Sequence, residues 1–436
     1  MTDVPIDRYI SQVRLNHPER VNEDMYDLLV GDVFRKFVEH FGMSTRLKLV
    51  FTLSRRAERL RLCGESWLIY DQYLGQTFNL LNRLFFNAEG EREAITYFHK
   101  YIAERILEHG RAELGVSLAN FYDDERDGVR RTVDGDPLRP AFTIVGEQFA
   151  IFHELSHEIL ESGHDFADFF MGLVADSLDA RREFRRTQTR ESLIEGFRKS
   201  DPAAYHDAPL DQVIAETLAD YDSPMGARGR EAYGRALDAP ETAEELFCDF
   251  AACDFALMGG GEDLMGLRDT LRALYIASYH LKTLDYVDRA VEALLLRDLL
   301  GRDHEAHRLY RSQAMQIRNH CLRDHLLMMY EARLHDRDEG DRPQLVSTFK
   351  IGLMKDQRRY YESILDPATK TVTFLSEPGR LQEMASEHEA ALAKFAANVP
   401  EADKADARNA LASIVILKQT GWPISAVSRF ADAIKG

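Results

Sequence analysis

His153, Glu154 and His157 form an HExxH within FTIVGEQFAIFHELSHEILE, the stretch from Phe142 to Glu161. On a helix, residues four apart stand one turn above each other on one face, so both imidazoles can reach one metal ion. Glu154 sits beside the first histidine, where its carboxylate can hold the water that such a metal activates. The chemistry indicated is metal-assisted hydrolysis. A catalytic zinc takes three protein ligands and keeps a fourth position open for water, so a further donor must come from another element. Glu245, in ETAEELFCDFAACDFAL (Glu241 to Leu257), supplies a candidate. Asp249 lies one turn later on the same face, placed to accept the free N–H of a ligating histidine. Two alternatives stay open for the third ligand: Glu216, in a second ExxxD that ends at Asp220, and Glu244. Tyr279 and His280, with Tyr275 nearby, are candidate donors to the oxyanion of a tetrahedral intermediate.

These side chains need elements to carry them. An extended FTIV (Phe142 to Val145) is expected to lead through Gly146 into a buried helix with Phe149, Ile151, Phe152, Leu155, Ile159 and Leu160 around the histidines. Upstream, Met25, Leu28, Leu29, Val33, Phe34, Phe37 and Phe41 recur at helical spacing before Gly42, a stop signal. Leu47 to Leu62 reads as another helix, with Arg55, Arg56, Arg59 and Arg61 on a solvated face. SWLIY (Ser66 to Tyr70) reads as a short buried strand, although its length alone does not separate strand from helix. Helices are expected over Tyr73 to Phe86 and Arg92 to Gly110, and a domain boundary in the Asp-, Arg-, Gly- and Pro-rich stretch Asp123 to Pro140.

Beyond the HExxH, Asp168 to Phe197 is helical in pattern and carries Arg181, Arg182, Arg185, Arg186 and Arg190, a basic stripe that suits a surface helix or an acidic substrate segment. Gly259-Gly260-Gly261 lacks the Lys and Ser/Thr of a phosphate loop and reads as a helix stop and turn. Leu264 to Arg333 is helical with a break at Gly301, Asp336 to Pro343 is a polar linker, and the tail from Arg380 is again helical. Thr371 to Leu375, TVTFL, alternates as a strand or hairpin arm does.

With 436 residues the chain exceeds what one core fills, so two or three packed units are expected. A net charge of -18 argues against a general nucleic-acid binder, whose phosphate contacts need a basic face. The N-terminal residues lack a secretory pattern and no apolar run reaches the length of a membrane span, so a cytoplasmic protein with no membrane association is the expectation. Cys63, Cys248, Cys253 and Cys321 form no CxxC pair, which fits reduced thiols, with Cys248 and Cys253 in core packing.

HELSH followed downstream by Glu245-Leu246-Phe247-Cys248-Asp249 resembles the gluzincin branch of the zincin metallopeptidases, in which an ExxxD helix completes the site. Phe250-Ala251-Ala252 after it is loosely similar to the metal-binding helix of ImmA/IrrE-like zincins, intracellular peptidases that cleave repressors; Asp249 stands where that pattern has Asn. His164 does not fit the longer HExxHxxGxxH pattern, because Gly163 occupies the required position. The resemblance covers the two helices alone. It implies a zincin-like core with a small β-sheet over residues 131–300 and a long helical insertion between the ligand helices; together with the helical patterns at 1–130 and 301–436, the expected fold is mainly α (α+β). It also implies a Zn2+-dependent endopeptidase acting on a protein or peptide substrate, with Glu154 as general base. A zincin-fold sensor with little turnover and a helical scaffold with an accidental HExxH are the alternatives.

Overall fold

The computed structural model describes residues 5–14, 26, 30–87, 90–109, 114–115, 118, 136–199, 210–300, 303–334, 341–377, 379–380 and 383. In chain order its elements are α1 (Pro5–Val13), α2 (Asp32–His40), β1 (Arg46–Val50), β2 (Ala57–Leu62), β3 (Glu65–Asp71), α3 (Gln72–Phe86), α4 (Glu91–Glu108), α5 (Arg139–Ser162) and α6 (Asp165–Thr187). There follow α7 (Arg190–Lys199), α8 (Leu210–Asp222), α9 (Pro224–Leu237), α10 (Pro240–Ala256), a π-helical turn (Leu257–Gly261) and α11 (Glu262–Met265). The last are α12 (Leu267–Leu300), α13 (Asp303–Arg333), α14 (Arg342–Tyr360), a second π turn (Tyr361–Leu365) and α15 (Asp366–Ser376). The fold is mainly α with one small sheet, as expected, but among the described residues the sheet lies at 46–71, in the region read as helical, and not within the 131–300 core where it was expected. None of the described helices is long and apolar enough to cross a membrane.

The chain divides into two compact units. The first comprises Met1–Thr143, Thr283–Leu299 and Arg359–Gly436 and holds the sheet, in strand order β1-β3-β2, with β1 parallel and β2 antiparallel to β3. The central strand, ESWLIYD, is buried along nearly its whole length, which is why SWLIY is apolar without alternation. Ile6 and Ile10 of α1 pack on Val50, Trp67 and Ile69 of the sheet.

The stretch Leu47 to Leu62 is two strands, not the helix its arginine spacing suggested. Arg55 adopts φ 51°, a left-handed conformation that no helix interior accommodates. Its guanidinium is buried over the rings of Tyr73 and Tyr101, 4.1 and 4.6 Å from their centroids, and pairs with Glu104. Arg56 pairs with Asp288 at 2.8 Å, so the face read as solvated is partly interior. Leu60 and Leu62 alternate with Arg59 and Arg61 at the strand period of two, and Cys63-Gly64, with φ 52° and 84°, form the tight turn into β3.

TVTFL lies in α15, not in a strand: Ala368, Thr371, Val372 and Leu375 are the buried set, at helical spacing. Thr371 Oγ1 donates to the Pro367 carbonyl 2.9 Å away, one turn back. FTIV is likewise helical, because α5 starts at Arg139-Pro140 and buries Phe142, Val145, Phe149 and Phe152 three and four apart. The triple glycine continues α10 as a π turn instead of stopping it. Arg342 and Pro343, read as linker, already open α14, while residues 335–340 lie outside the described residues. So do Met25, Leu28 and Leu29, most of the boundary stretch 123–140, Gly301, and the tail beyond 380 apart from residue 383.

Asp71 ties this unit together. Fully buried, its carboxylate caps α3 through Tyr73 N (3.0 Å) and accepts from Thr52 N (3.1 Å), Arg55 N (3.1 Å) and the Thr52 hydroxyl, with Arg14 Nη1 3.8 Å away. Asp71→Ala leaves those donors without their acceptor and should destabilise the unit by about 3 kcal/mol. Urea unfolding followed by Trp67 fluorescence in a Trp422→Phe background measures it; an unchanged midpoint would show that Asp71 is not a tie.

Candidate metal centre

The second unit, Ile144–Lys282 and Leu300–Arg358, contains every residue of the site. Its core helix is α10, which is apolar nearly all round: Leu246, Phe247, Cys248, Phe250, Ala251, Ala252 and Cys253 are buried. It packs against α6 and α13. Phe152 of α5 and Phe170 of α6 meet Phe255 at centroid distances of 6.2 and 6.0 Å, and Phe170 meets Phe247 at 5.9 Å. These aromatic contacts hold α5, α6 and α10 in one register.

On that scaffold α5 carries His153 and His157 with ring centroids 5.4 Å apart, and α10 brings Glu245 to them. One ligand atom from each of His153, His157 and Glu245 lies within 4.8 Å of the others, a group that could hold a metal ion. Bonds of 2.0–2.1 Å in a tetrahedral site place ligand atoms about 3.3 Å apart, so a modest contraction would complete it. Each histidine has a carboxylate behind it. His153 Nδ1 is 3.2 Å from Asp249 Oδ1, an ion-pair contact not aligned as a hydrogen bond, and its Nε2 faces Glu245 Oε2 at 3.5 Å. His157 Nδ1 is 3.1 Å from Glu244 Oε1, leaving Nε2 as the ring nitrogen open to a metal. Glu244, an alternative third ligand from sequence, thus backs a histidine instead.

Two cations complete the cluster, and nothing in the sequence reading named them. Arg318 of α13 donates Nε and Nη2 to the two oxygens of Asp249, both at 2.9 Å, and its Nη1 lies 2.7 Å from Glu245 Oε2. Lys282 of α12 is 3.6 Å from Asp249 Oδ2 and donates to Ser278 Oγ at 3.1 Å and Asn319 Oδ1 at 2.8 Å. The one sequence signal for both is a basic residue inside the apolar stripe of a long helix: Arg318 shares a face with Cys321, Leu322 and His325, and Lys282 with Leu271 and Tyr275.

The electrostatics follow from this geometry. Burial opposes charge on Asp249, yet Arg318 and Lys282 outweigh it and hold its carboxyl well below the usual range. Glu245 is lowered for the same reason, by Arg318 and His153 against burial. Lys282 is pushed down to about 8, chiefly by burial. Burial would also depress His153, but Asp249 and Glu245 prevail and raise it to about 10. The Cys248 and Cys253 thiols are pushed up, first by burial and then by neighbouring carboxylates, so both stay protonated in the core of α10.

The other sequence candidates fall as follows. Glu154 is half-buried on α5 between the two histidines. Glu216 is exposed on α8, where it accepts from Gln212 Nε2 at 2.8 Å, and it is not in the ligand group. His164 caps α6, its Nδ1 accepting from Phe166 N at 3.3 Å. Tyr279 is buried with its hydroxyl 3.4 Å from that of Tyr275. His280 is buried and pushed down to about 3 by that burial. At 3.6 residues per turn it lies on the side of α12 opposite Ser278 and Lys282, the residues that face Asp249.

The raised pKa of His153 gives a sign that can be measured. Relative to an ordinary value of 6.5, the metal-free fold favours the imidazolium. That stabilisation is complete below about pH 6.5 and fades as pH rises towards 10. A metal must displace the same proton, so affinity should climb about tenfold per pH unit over pH 7–9, with close to one proton released per ion bound. Calorimetric titration in buffers of different ionisation enthalpy reads the proton count; a pH-independent affinity would mean that His153 is not a ligand.

No protein-family model, curated protein or solved structure matches this chain, so the reading of the centre rests on its own geometry.

Proposed function

We propose that the chain is a zinc-dependent peptidase of the gluzincin type, hydrolysing peptide bonds in a protein or peptide substrate. The observation that carries this reading is the convergence of both HExxH histidines with Glu245 from a second helix, each histidine backed by a carboxylate. A donor set of two imidazoles and one carboxylate suits zinc and leaves a position open for water. Zinc held there would polarise the scissile carbonyl and lower the pKa of a bound water. Glu154, which follows a ligand without being one, takes the water's proton and delivers it to the leaving amine. Asp249 holds the His153 ring in register, and Glu244 does the same for His157. Oxyanion stabilisation is the role that Tyr279 or His280 would fill in this scheme, with His280 on the side of α12 opposite the residues that face Asp249.

Glu154 also separates the enzyme from a zinc-binding sensor, because metal binding alone does not require it. Purified protein should hold about one zinc per chain, lost in His153→Ala. Glu154→Gln should keep the zinc yet lose about 10²–10⁴-fold in hydrolysis. Elemental analysis together with a comparison of cleaved protein termini in cells carrying active or Glu154→Gln protein reads both. Unchanged zinc in His153→Ala would remove the site, and normal cleavage by Glu154→Gln would remove the general base.

The roles of the carboxylates are separable by affinity. Glu245→Ala removes a ligand and should weaken zinc binding most, while Asp249→Ala, which only orients His153, should cost about 10–100-fold. Glu216→Ala and Asp220→Ala should stay near the parent. Competition with a chelator gives the order directly; Glu216→Ala as the most damaging change would move the third ligand to α8.

A further inference from the structure

A second site lies in the same unit, on a different face of α13. A cleft of about 900 Å³ is lined by α6, α7, α8, α9, α13 and Lys350 of α14. From α13 come Leu309, Gln313, Gln316, His320 and Arg323, which at 3.6 residues per turn stand roughly 140–220° around the helix from Arg318. The cleft is therefore separate from the metal centre.

Its charge is one-sided. Arg181, Arg185, Arg230, Arg323 and Lys350 line it, and among the described residues no aspartate or glutamate does. In a chain of net charge -18 such a concentration runs against the average. Asp324 pairs with Arg181 and with Arg323 (3.2 Å), but Arg185 and Lys350 have no carboxylate partner among the described residues. The rest of the α6 stripe turns elsewhere: Arg182 pairs with Asp179 and Asp238 at 2.7 and 3.1 Å, and Arg186 with Glu183 at 3.5 Å. The cationic groups are positioned as well. Arg230 stacks over Tyr221, 4.0 Å from the ring centroid, and donates to the Tyr221 carbonyl at 2.6 Å. The Arg185 guanidinium lies against Gly234, where a Cβ would clash with it, so the glycine makes room for the arginine. Elsewhere on α9, Gly229 leaves open space, with nothing nearer than 3.9 Å to a Cβ placed there.

We propose that this cleft binds a small polyanion carrying two or more phosphate groups. Planar guanidinium forks match phosphate oxygens in pairs, and the cleft's volume is that of a small-molecule pocket. Tyr221 and Tyr233 also line the cleft, and aromatic residues there suit a base, so a nucleotide and an inorganic oligophosphate are the two sources of the same chemistry.

Calorimetric titration of the full chain with inorganic triphosphate and with ATP tests it, repeated on His153→Ala so that binding through a metal is excluded. Both probes should bind, more weakly as salt rises. The double substitution Arg185→Ala/Lys350→Ala should weaken them by about tenfold or more. Gly229→Leu should do the same by filling the cleft without removing charge. Tighter binding of ATP identifies the nucleotide source, and equal binding the phosphate chain alone; either supports the proposal. Absence of binding by both probes, affinity unchanged in both variants, or tighter binding of an acidic peptide than of triphosphate would overturn it.

Discussion

The pairing of Asp249 with Arg318 is the constraint on which the candidate metal centre depends. A carboxylate 1% exposed is costly to bury alone, by several kcal/mol even after relaxation. Arg318 meets it through two parallel hydrogen bonds and Lys282 adds a second positive charge, which fixes α10 against α12 and α13. Only then is Asp249 Oδ1 placed 3.2 Å from His153 Nδ1. The orientation of the histidine is thus set by a charge pair reaching across three helices, not by the HExxH helix itself. Arg318 also touches Glu245, so that carboxylate has a cation beside it and needs no proton to remain buried in part. An ion bound there would displace the His153 proton, and the added positive charge would fall where two carboxylates already stand.

What the sequence made legible of this site are the parts with fixed local spacing. HExxH and ExxxD each put their members on one helix face whatever the rest of the chain does, so His153, His157, Glu245 and Asp249 could be named together. Arg318 and Lys282 could not, because each is a single basic residue whose meaning comes only from which helix lies opposite. Glu244 shows the limit from the other side. Its neighbour Glu245 has the same chemistry, and only the rotation of α10 decides that one faces the ligand group while the other reaches His157 Nδ1.

Among the elements, long helices with a clear apolar stripe, such as α3, α4 and α13, match the periodicity, while short segments were misread where two periods coincide. In TVTFL the alternation was real, but Val372 and Leu375 also sit three apart, and Asp366-Pro367 opens a helix ahead of them. Between Leu47 and Leu62 the arginines mimicked a helical face, although Arg55 serves a buried aromatic box and Arg59 and Arg61 a strand. Propensity and pattern are local, whereas burial of a charged group is a tertiary fact, and it prevailed here.

His157 and Glu244 are 87 positions apart, and what lies between them explains the second site. That stretch builds α6, α8 and α9, three of the walls of the cationic cleft, and α9 packs along α13. A metal centre needs only that its two ligand helices meet, which a short connection would also allow; the long one adds a surface. Because α13 gives Arg318 to one side and Gln313, His320 and Arg323 to the other, the packing that holds the metal's carboxylates also fixes the floor of the cleft. The basic stripe of α6 divides accordingly: Arg182 and Arg186 pair with exposed carboxylates away from the cleft, while Arg181 and Arg185 line it, facing α9 and α13. A stripe of like charge on one helix is ambiguous in sequence, since a solvated face and a binding wall look the same until the facing helix is known.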